Sequence, residues 1–501
     1  MMNTNSNKVR YFYEKFKTVL LISLLILCIV QVGILWSGQS GSFPISLFAS
    51  KNASTVPIGN SESEYLLPYR VVISTGFDKD HYIIPNGSNE YKTLWEGAKL
   101  YIAQALETKP KQIQSFKEDE RETLEDAWGT LVANKPYTFE FKTAIPIDIV
   151  KWIILKTDIK TPTDEGLLSI HKVVICPNDS DNNHSDTLYI RDDKSIYTYE
   201  LKDSNDTLNQ EVFTSIYKKM DINKKYQMAI EKFRNNPISQ DLLGIFSGKR
   251  QVSYPNITCE AINGLNENEY TIDNFNNMAR DLFGNERNDY EFDKDVNGSV
   301  VFEKEDGVYR LYKNSVLEYK YTGNQGYTQA KNVLEAYKTA IAFLIENRKQ
   351  NGIMSGISVY LNSYKEEQGT YIFNFDYSIS LGEGKGEIPI FLKKYEVPYI
   401  NKPLSNCISI EASSKKVIHF EWLALKFNVE DNPKPYEWNF EGAYQKIYET
   451  NTELKGKEFS VKDFGIYYVL NDPKKYEQVA PSFVLHTNDG IYDVLMEPNN
   501  K

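Results

Sequence analysis

The chain has 501 residues, 41% of them hydrophobic, with 57 Lys and Arg against 68 Asp and Glu, a net charge of -11 with histidine neutral. That length allows several buried cores, and the acidic balance repels phosphate backbones and argues against nucleic acid as a partner. The four cysteines, Cys28, Cys176, Cys259 and Cys407, are too widely spaced for a disulfide framework or a zinc knuckle.

Residues 1–17 read as a cytoplasmic tail, with Lys8, Arg10, Lys15 and Lys17 against one acid, Glu14. The uncharged run "TVLLISLLILCIVQVGILW", residues 18–36, is long enough to cross a bilayer as a helix. By the positive-inside rule the amino terminus stays in the cytoplasm and the bulk of the chain lies outside the cell membrane. The run exceeds the apolar region of a cleaved signal peptide. Ile26 and Leu27 before Cys28 do not form a lipoprotein site. Within the span, Gln31 is the strongly polar side chain, roughly 7 Å below the outer end at helical rise. With the small residues Ser23 and Gly33 it is the candidate surface for another transmembrane helix. Residues 37–64, rich in Ser, Gly and Asn, read as a tether. Without the tail's charges, 53 basic residues face 67 acidic ones outside, a net charge of about -14.

Residues 65–205 form a first mixed domain. "PYRVVIST" is a strand, and Tyr91, Leu94, Ala98, Tyr101 and Ala105 recur at helical spacing behind a Ser88 cap. Alternation of Tyr137, Phe139 and Phe141 gives a strand running into a short helix after Pro146. "LLSIHKVVIC" and "DTLYIRDDKSIYTYELKD" continue as strands, the latter two joined by a tight acidic turn. A helix is expected near 207–234. The middle domain, 206–325, holds the helix "TIDNFNNMARDLFG" and short strands through "VYRLYKNSVLEYKY". The C-terminal domain, 326–501, opens with a helix whose stripe is Val333, Leu334, Tyr337, Ile341 and Leu344. The hairpin "GISVYLNSY"/"GTYIFNFDYSISL" and "NCISIEASSKKVIHFEWLALKF" follow. Parallel strands do not alternate with helices, so the expected class is α+β: antiparallel sheets with packed helices, behind one N-terminal transmembrane helix.

"DKDVNG" at 293–298 has the spacing of half an EF-hand loop, but the position of the bidentate Glu is Lys304. Strand-like flanks and Asn297-Gly298 make it a hairpin turn. "NDSDNNHSD" from 178 lacks the glycine and the distal Glu and reads as a solvated loop. Ser413 three residues before Lys416, and Ser180 to Asn182, match two penicillin-binding-type signatures in reversed order, with no Lys-Thr-Gly element. His81, His171, His184, His419 and His486 are scattered and form no paired-ligand helix; His419 reads as structural. Alternation of the aromatics, 35 Tyr and 25 Phe, is what half-buried strands require. No catalytic, cofactor or metal residue is assigned.

Residues 279–321, "ARDLFGNERNDYEFDKDVNGSVVFEKEDGVYRLYKNSVLEYKY", resemble the central part of the YycH family: a helix ending in Leu282-Phe283, a hairpin at Asn297-Gly298, and an Asp306-Gly307 turn into a further strand pair. "YTFEFKTAIPIDIVKWIIL" is similar to the family's strand-proline-helix segment. Asn285 to Tyr290 depart from the family's pattern after Leu-Phe. The resemblance implies a non-enzymatic regulator of the WalK (YycG) sensor histidine kinase, acting with a YycI-like membrane protein on cell-wall metabolism, with the transmembrane helix touching the kinase helices. The competing reading is a cell-envelope enzyme or wall-glycan-binding protein whose site leaves no motif.

Overall fold

The computed structural model describes residues 65–499 apart from 118–122, 156–165, 178–185, 202–207, 222–224, 234–237, 247, 263–270, 284–290, 297, 305–306, 324–328, 350–355, 383–384, 398–401, 458 and 472–475. The expected span at 18–36 and the tether at 37–64 lie outside the described residues. Among the described residues no helix is long and apolar enough to cross a membrane.

Strand alternation in the first part builds a seven-stranded antiparallel sheet. Its strands are β1 (Arg70–Ser74), β2 (His81–Ile84), β3 (Gln112–Ser115), β4 (Tyr137–Pro146), β5 (Ser169–Cys176), β6 (Asp186–Arg191) and β7 (Ser195–Leu201), in the order β2-β1-β4-β5-β6-β7-β3. Helix α1 (Asn89–Leu106) starts where expected, with Ser88 Oγ accepting the Tyr91 N–H at 3.1 Å. Its predicted stripe is buried, and Trp95 meets Phe141 edge-on at 5.8 Å. The Phe139/Phe141 side of the sheet is therefore the one that α1 covers.

The opposite side is covered by α2 (Leu124–Asn134), a helix not anticipated above. Thr123 and Asp126 form its capping box. Trp128 and Val132 join Val72, Val174 and Ile196 in a separate apolar cluster. Beside that cluster runs a row of charges. Arg70 stands opposite Glu140, Glu140 opposite Lys172, and Lys172 opposite Arg191, and directly opposed residues share a face. Arg70 lies 3.2 Å from Glu140, and Asp241 closes the row at 2.6 Å from Lys172 and 3.0 Å from Arg191. Arg191 also reaches Glu125 at 3.0 Å, and Arg70 reaches Asp463 at 3.5 Å. Burial alone would make such charges costly; Glu140 within the row, and Asp241, Glu125 and Asp463 from outside it, supply the compensating partners.

The helix expected near 207–234 is much shorter. α3 (Ile147–Leu155) ends the β4 segment as predicted, but α4 spans only Gln210–Tyr217. Past Tyr217 the backbone tightens into i→i−3 turns, with the Lys219 N–H donating to the Ile216 carbonyl at 2.9 Å and the Met220 N–H to the Tyr217 carbonyl at 3.0 Å, while Met220 still packs on the core. The chain instead bridges Tyr226 to His81, then forms β8 (Gln227–Met228) and the single turn α5 (Ala229–Lys232).

From β9 (Leu243–Gly244), which pairs with β8, the remaining strands are β10 (Arg250–Tyr254), β11 (Ile257–Ala261), β12 (Glu291–Lys294), β13 (Val300–Lys304), β14 (Gly307–Leu311), β15 (Val316–Tyr321), β16 (Ile357–Glu367), β17 (Thr370–Ser380) and β18 (Glu387–Leu392). They continue as β19 (Glu396–Val397), β20 (Lys402–Pro403), β21 (Ile408–Ala412), β22 (Val417–Leu423), β23 (Leu425–Val429), β24 (Lys434–Trp438), β25 (Val461–Leu470), β26 (Tyr476–Val479), β27 (Pro481–Thr487) and β28 (Ile491–Leu495). The helices are α6 (Ile272–Phe283), α7 (Val333–Lys349) and α8 (Phe440–Thr450). Twelve strands form one sheet along β12-β13-β14-β15-β22-β21-β17-β18-β25-β27-β28, with β16 paired to β17. Among the described residues these pairs are antiparallel except β18 with β25, so the mixed α+β expectation holds.

Helix α7 lies on the aromatic face of this sheet. Phe343 meets Tyr319 at 5.5 Å and Phe420 at 5.2 Å, and Tyr337 meets Phe373 at 5.3 Å. Tyr337 also meets Trp152 of α3 edge-on at 6.2 Å. One continuous core therefore runs from the first sheet through α1, α3 and α7 to the second. A smaller core under α8 gathers Trp438, Phe440, Phe464 and Phe483.

Candidate functional site

The "DKDVNG" segment closes a hairpin. β12 and β13 pair with Lys294 opposite Val300. The Asp295 N–H donates to the Ser299 carbonyl and the Gly298 N–H to the Asp295 carbonyl, both at 3.0 Å. Gly298 takes a φ of 78°, the left-handed position that glycine fills in such loops. The Asp295 carboxylate accepts the Ser299 N–H at 3.0 Å, so it serves the turn.

The Ser413/Lys416 spacing falls in the β21–β22 turn. Ser413 Oγ accepts the Lys416 N–H at 3.1 Å, whereas Lys416 Nζ lies 2.7 Å from the Tyr321 hydroxyl. Serine and amine are thus used separately. His81 is buried with Nε2 at 2.9 Å from Glu231, and His171 faces Asp193 at 3.2 Å. Burial pushes the His486 imidazole below its ordinary value despite the nearby Asp463 carboxylate. Cys259 and Cys407 are buried, and burial pushes the Cys259 thiol up to about 12. Ser180 to Asn182, His184, and the transmembrane candidates Ser23, Gln31 and Gly33 lie outside the described residues.

The densest chemistry sits on the polar face of the large sheet. His419 and Glu421 are two apart on β22 and so share a face. β15 places Glu318 directly opposite Glu421 and Lys320 opposite His419. One donor atom each from Glu318, His419 and Glu421 lies within 4.8 Å of the others. Two carboxylates and an imidazole suit a divalent cation. Here, however, Lys320 Nζ is 2.7 Å from Glu318, and Lys402 Nζ donates to both Glu421 oxygens at 2.8 and 3.0 Å. A metal ion would have to displace two ammonium groups, so the donor set does not fit one. Burial pushes the Glu318 carboxyl up, but hydrogen bonds from His419, Lys320 and Tyr312 outweigh it and bring it down to about 2. It is ionised at neutral pH and cannot serve as a general acid there. The cluster is an ion-paired cross-strand lattice.

That reading has a measurable consequence. Lys402→Ala is expected to lower the unfolding free energy by about 1 kcal/mol, because the lysine is half exposed while its carboxylate partner is buried. Urea denaturation measures the change. A rise in the wild-type midpoint on adding Zn²⁺ would instead favour a metal centre.

The sequence carried two of the three groups, since His-x-Glu on a strand places both on one side. Glu318 lies 101 residues from His419, and only the β15–β22 pairing brings it in.

No family model matches the chain, and no curated protein matches it in sequence. In fold it is similar to the crystal structure of YycH from Bacillus subtilis, with a TM-score of 0.51 and 9% identity, over 87% of this chain and 97% of that one. A partial likeness to an uncharacterized protein from Eubacterium rectale covers 52% of this chain and 87% of that one, with a TM-score of 0.27 and 11% identity. The resemblance read from residues 279–321 is therefore borne out at the level of the fold.

Proposed function

We propose that this chain is a membrane-anchored, extracytoplasmic regulator of a sensor histidine kinase of the WalK (YycG) type. It acts with a YycI-like membrane protein in the control of cell-wall metabolism and performs no chemistry of its own. The observation that supports this most is the YycH architecture, shared over 97% of that protein's solved chain. The uncharged, span-length segment at 18–36 supplies the anchor in this reading.

A kinase with two signalling states is biased only by a partner that binds one state better than the other. Helices side by side in the bilayer provide such a difference through close packing at Ser23 and Gly33 and one amide contact at Gln31. Replacing residues 18–36 by an unrelated spanning helix is expected to change kinase output by about fivefold or more, the lower range of allosteric coupling. The readout is phosphorylation of the response regulator in cells. Unaltered regulation by the swapped protein would reject coupling through the span. Failure of the kinase to co-purify with the full chain would reject the partnership itself.

A further inference from the structure

We propose that the groove between the start of α2, the Ile238–Gln240 segment and α8 is a binding site for a neutral oligosaccharide. The groove has a cavity volume of ≈ 1080 Å³, enough for a ligand of several rings. It is distinct from the charged lattice on β15 and β22, and its test is independent of the kinase reading.

One wall is aromatic. Tyr444 and Tyr448 are four apart on α8, so both project to the same side of the helix. Their rings are nearly parallel, at 7° and 6.5 Å, and Tyr444 also stacks on Phe459 at 27° and 5.9 Å. Both tyrosines are half-buried. They form a stiff aromatic wall that costs little side-chain entropy to use, and an aromatic ring face suits the apolar face of a pyranose ring.

Beside that wall lies a neutral group with hydrogen-bonding capacity left over. Asn488 Oδ1 accepts the Ser460 N–H at 2.7 Å, which fixes the amide and leaves its NH₂ to donate. Gln240 is buried, its Nε2 donates to the Phe233 and Ile238 carbonyls at 3.2 and 2.7 Å, and its Oε1 is enclosed away from solvent, so it shapes the groove without bonding a ligand. A fixed amide donor beside aromatic rings matches the alternation of hydroxyls and C–H surface on a sugar.

Most of the charges around the groove are matched. Asp126 is used in its own helix cap, Glu125 pairs with Arg191 at 3.0 Å, and Lys457 pairs with Asp489 at 3.1 Å, whereas the exposed Lys462 adds one positive charge to the lining. The lining thus favours an uncharged ligand over a phosphate or nucleotide, each of which needs concentrated positive charge.

The full chain in a detergent without a sugar headgroup is to be titrated calorimetrically with chitotetraose, cellotetraose and maltotetraose. At least one is expected to bind saturably. Tyr448→Ala should weaken that binding by about tenfold, whereas Tyr448→Phe keeps it within about twofold, since the ring and not the hydroxyl carries the stacking. Asn488→Ala should weaken it as well, and an unchanged thermal midpoint in Asn488→Ala shows that the loss is local. Absence of binding by all three sugars up to about 10 mM would overturn the proposal. So would equal binding by Tyr448→Ala, or saturable capture of a proline-rich peptide in their place.

Discussion

Replacing Asp241 with asparagine is expected to cost about 3 kcal/mol of stability, because it removes the buried carboxylate that pairs with both Lys172 and Arg191 and leaves each with a weaker or more exposed partner. Asp241 lies 2.6 Å from Lys172 and 3.0 Å from Arg191, and its side chain is 7% exposed. Without its charge, Lys172 retains only Glu140 at 3.6 Å, and Arg191 retains Glu125 at 3.0 Å. Glu140 is itself committed to Arg70. Asparagine keeps the shape of the side chain and part of its hydrogen bonding, so the loss reports on charge. Equilibrium urea unfolding gives the number.

The same substitution should flatten the acid limb of the stability curve. Burial pushes the Asp241 carboxyl up, but Lys172 and Arg191 together hold it well below its ordinary 3.8. A carboxyl depressed on folding contributes stability that is complete above the unfolded value, near pH 4, and is lost as the pH falls through the folded one. Glu318, brought down to about 2, has the same sign. The wild-type chain should therefore lose stability between about pH 4 and pH 2 more steeply than Asp241→Asn does. Equal slopes would mean that the row of charges is not what acid dissolves.

The row also shows where reading the sequence stops. Arg70, Glu140, Lys172 and Arg191 each occupy a polar position in an alternating strand, which in isolation reads as a solvent-facing side. They are covered because α2 and the Ser239–Asp241 segment lie over that side, and nothing local to the four strands says so. By contrast, α1 was legible because capping and the apolar stripe are local properties of twenty residues. The β16–β17 hairpin was legible for the same reason. Glu318 opposite Glu421 was not, since its placement follows from register between strands a hundred residues apart. Long-range pairing puts like charges together, and Lys320 and Lys402 then balance them.

Gly129→Ala is the substitution that tests whether α2 holds Asp241 in place, and it is expected to destabilise the chain by about 2 kcal/mol. In an exposed helix the change would stabilise by up to about 1 kcal/mol, since glycine is the poorer helix former. Here an added methyl would lie 2.7 Å from the Gln240 carbonyl oxygen and 2.9 Å from its carbon. Those atoms are backbone, and the carbonyl is fixed by the Ile230 N–H at 3.0 Å, so no side-chain rotation relieves the clash. The Gln240–Asp241 backbone must lift, which moves the carboxylate away from Lys172 and Arg191. Residues coupled through one backbone shift are not additive. The double variant with Asp241→Asn should consequently lose about 1 kcal/mol less than the sum of the two single losses, as a double-mutant cycle in urea reads directly. Strict additivity would confine the effect of Gly129 to packing under Trp128 and separate it from the charge row. Gln240 also lines the groove under Tyr444 and Tyr448, so Gly129→Ala should weaken oligosaccharide binding while Asp241→Asn alone leaves it intact.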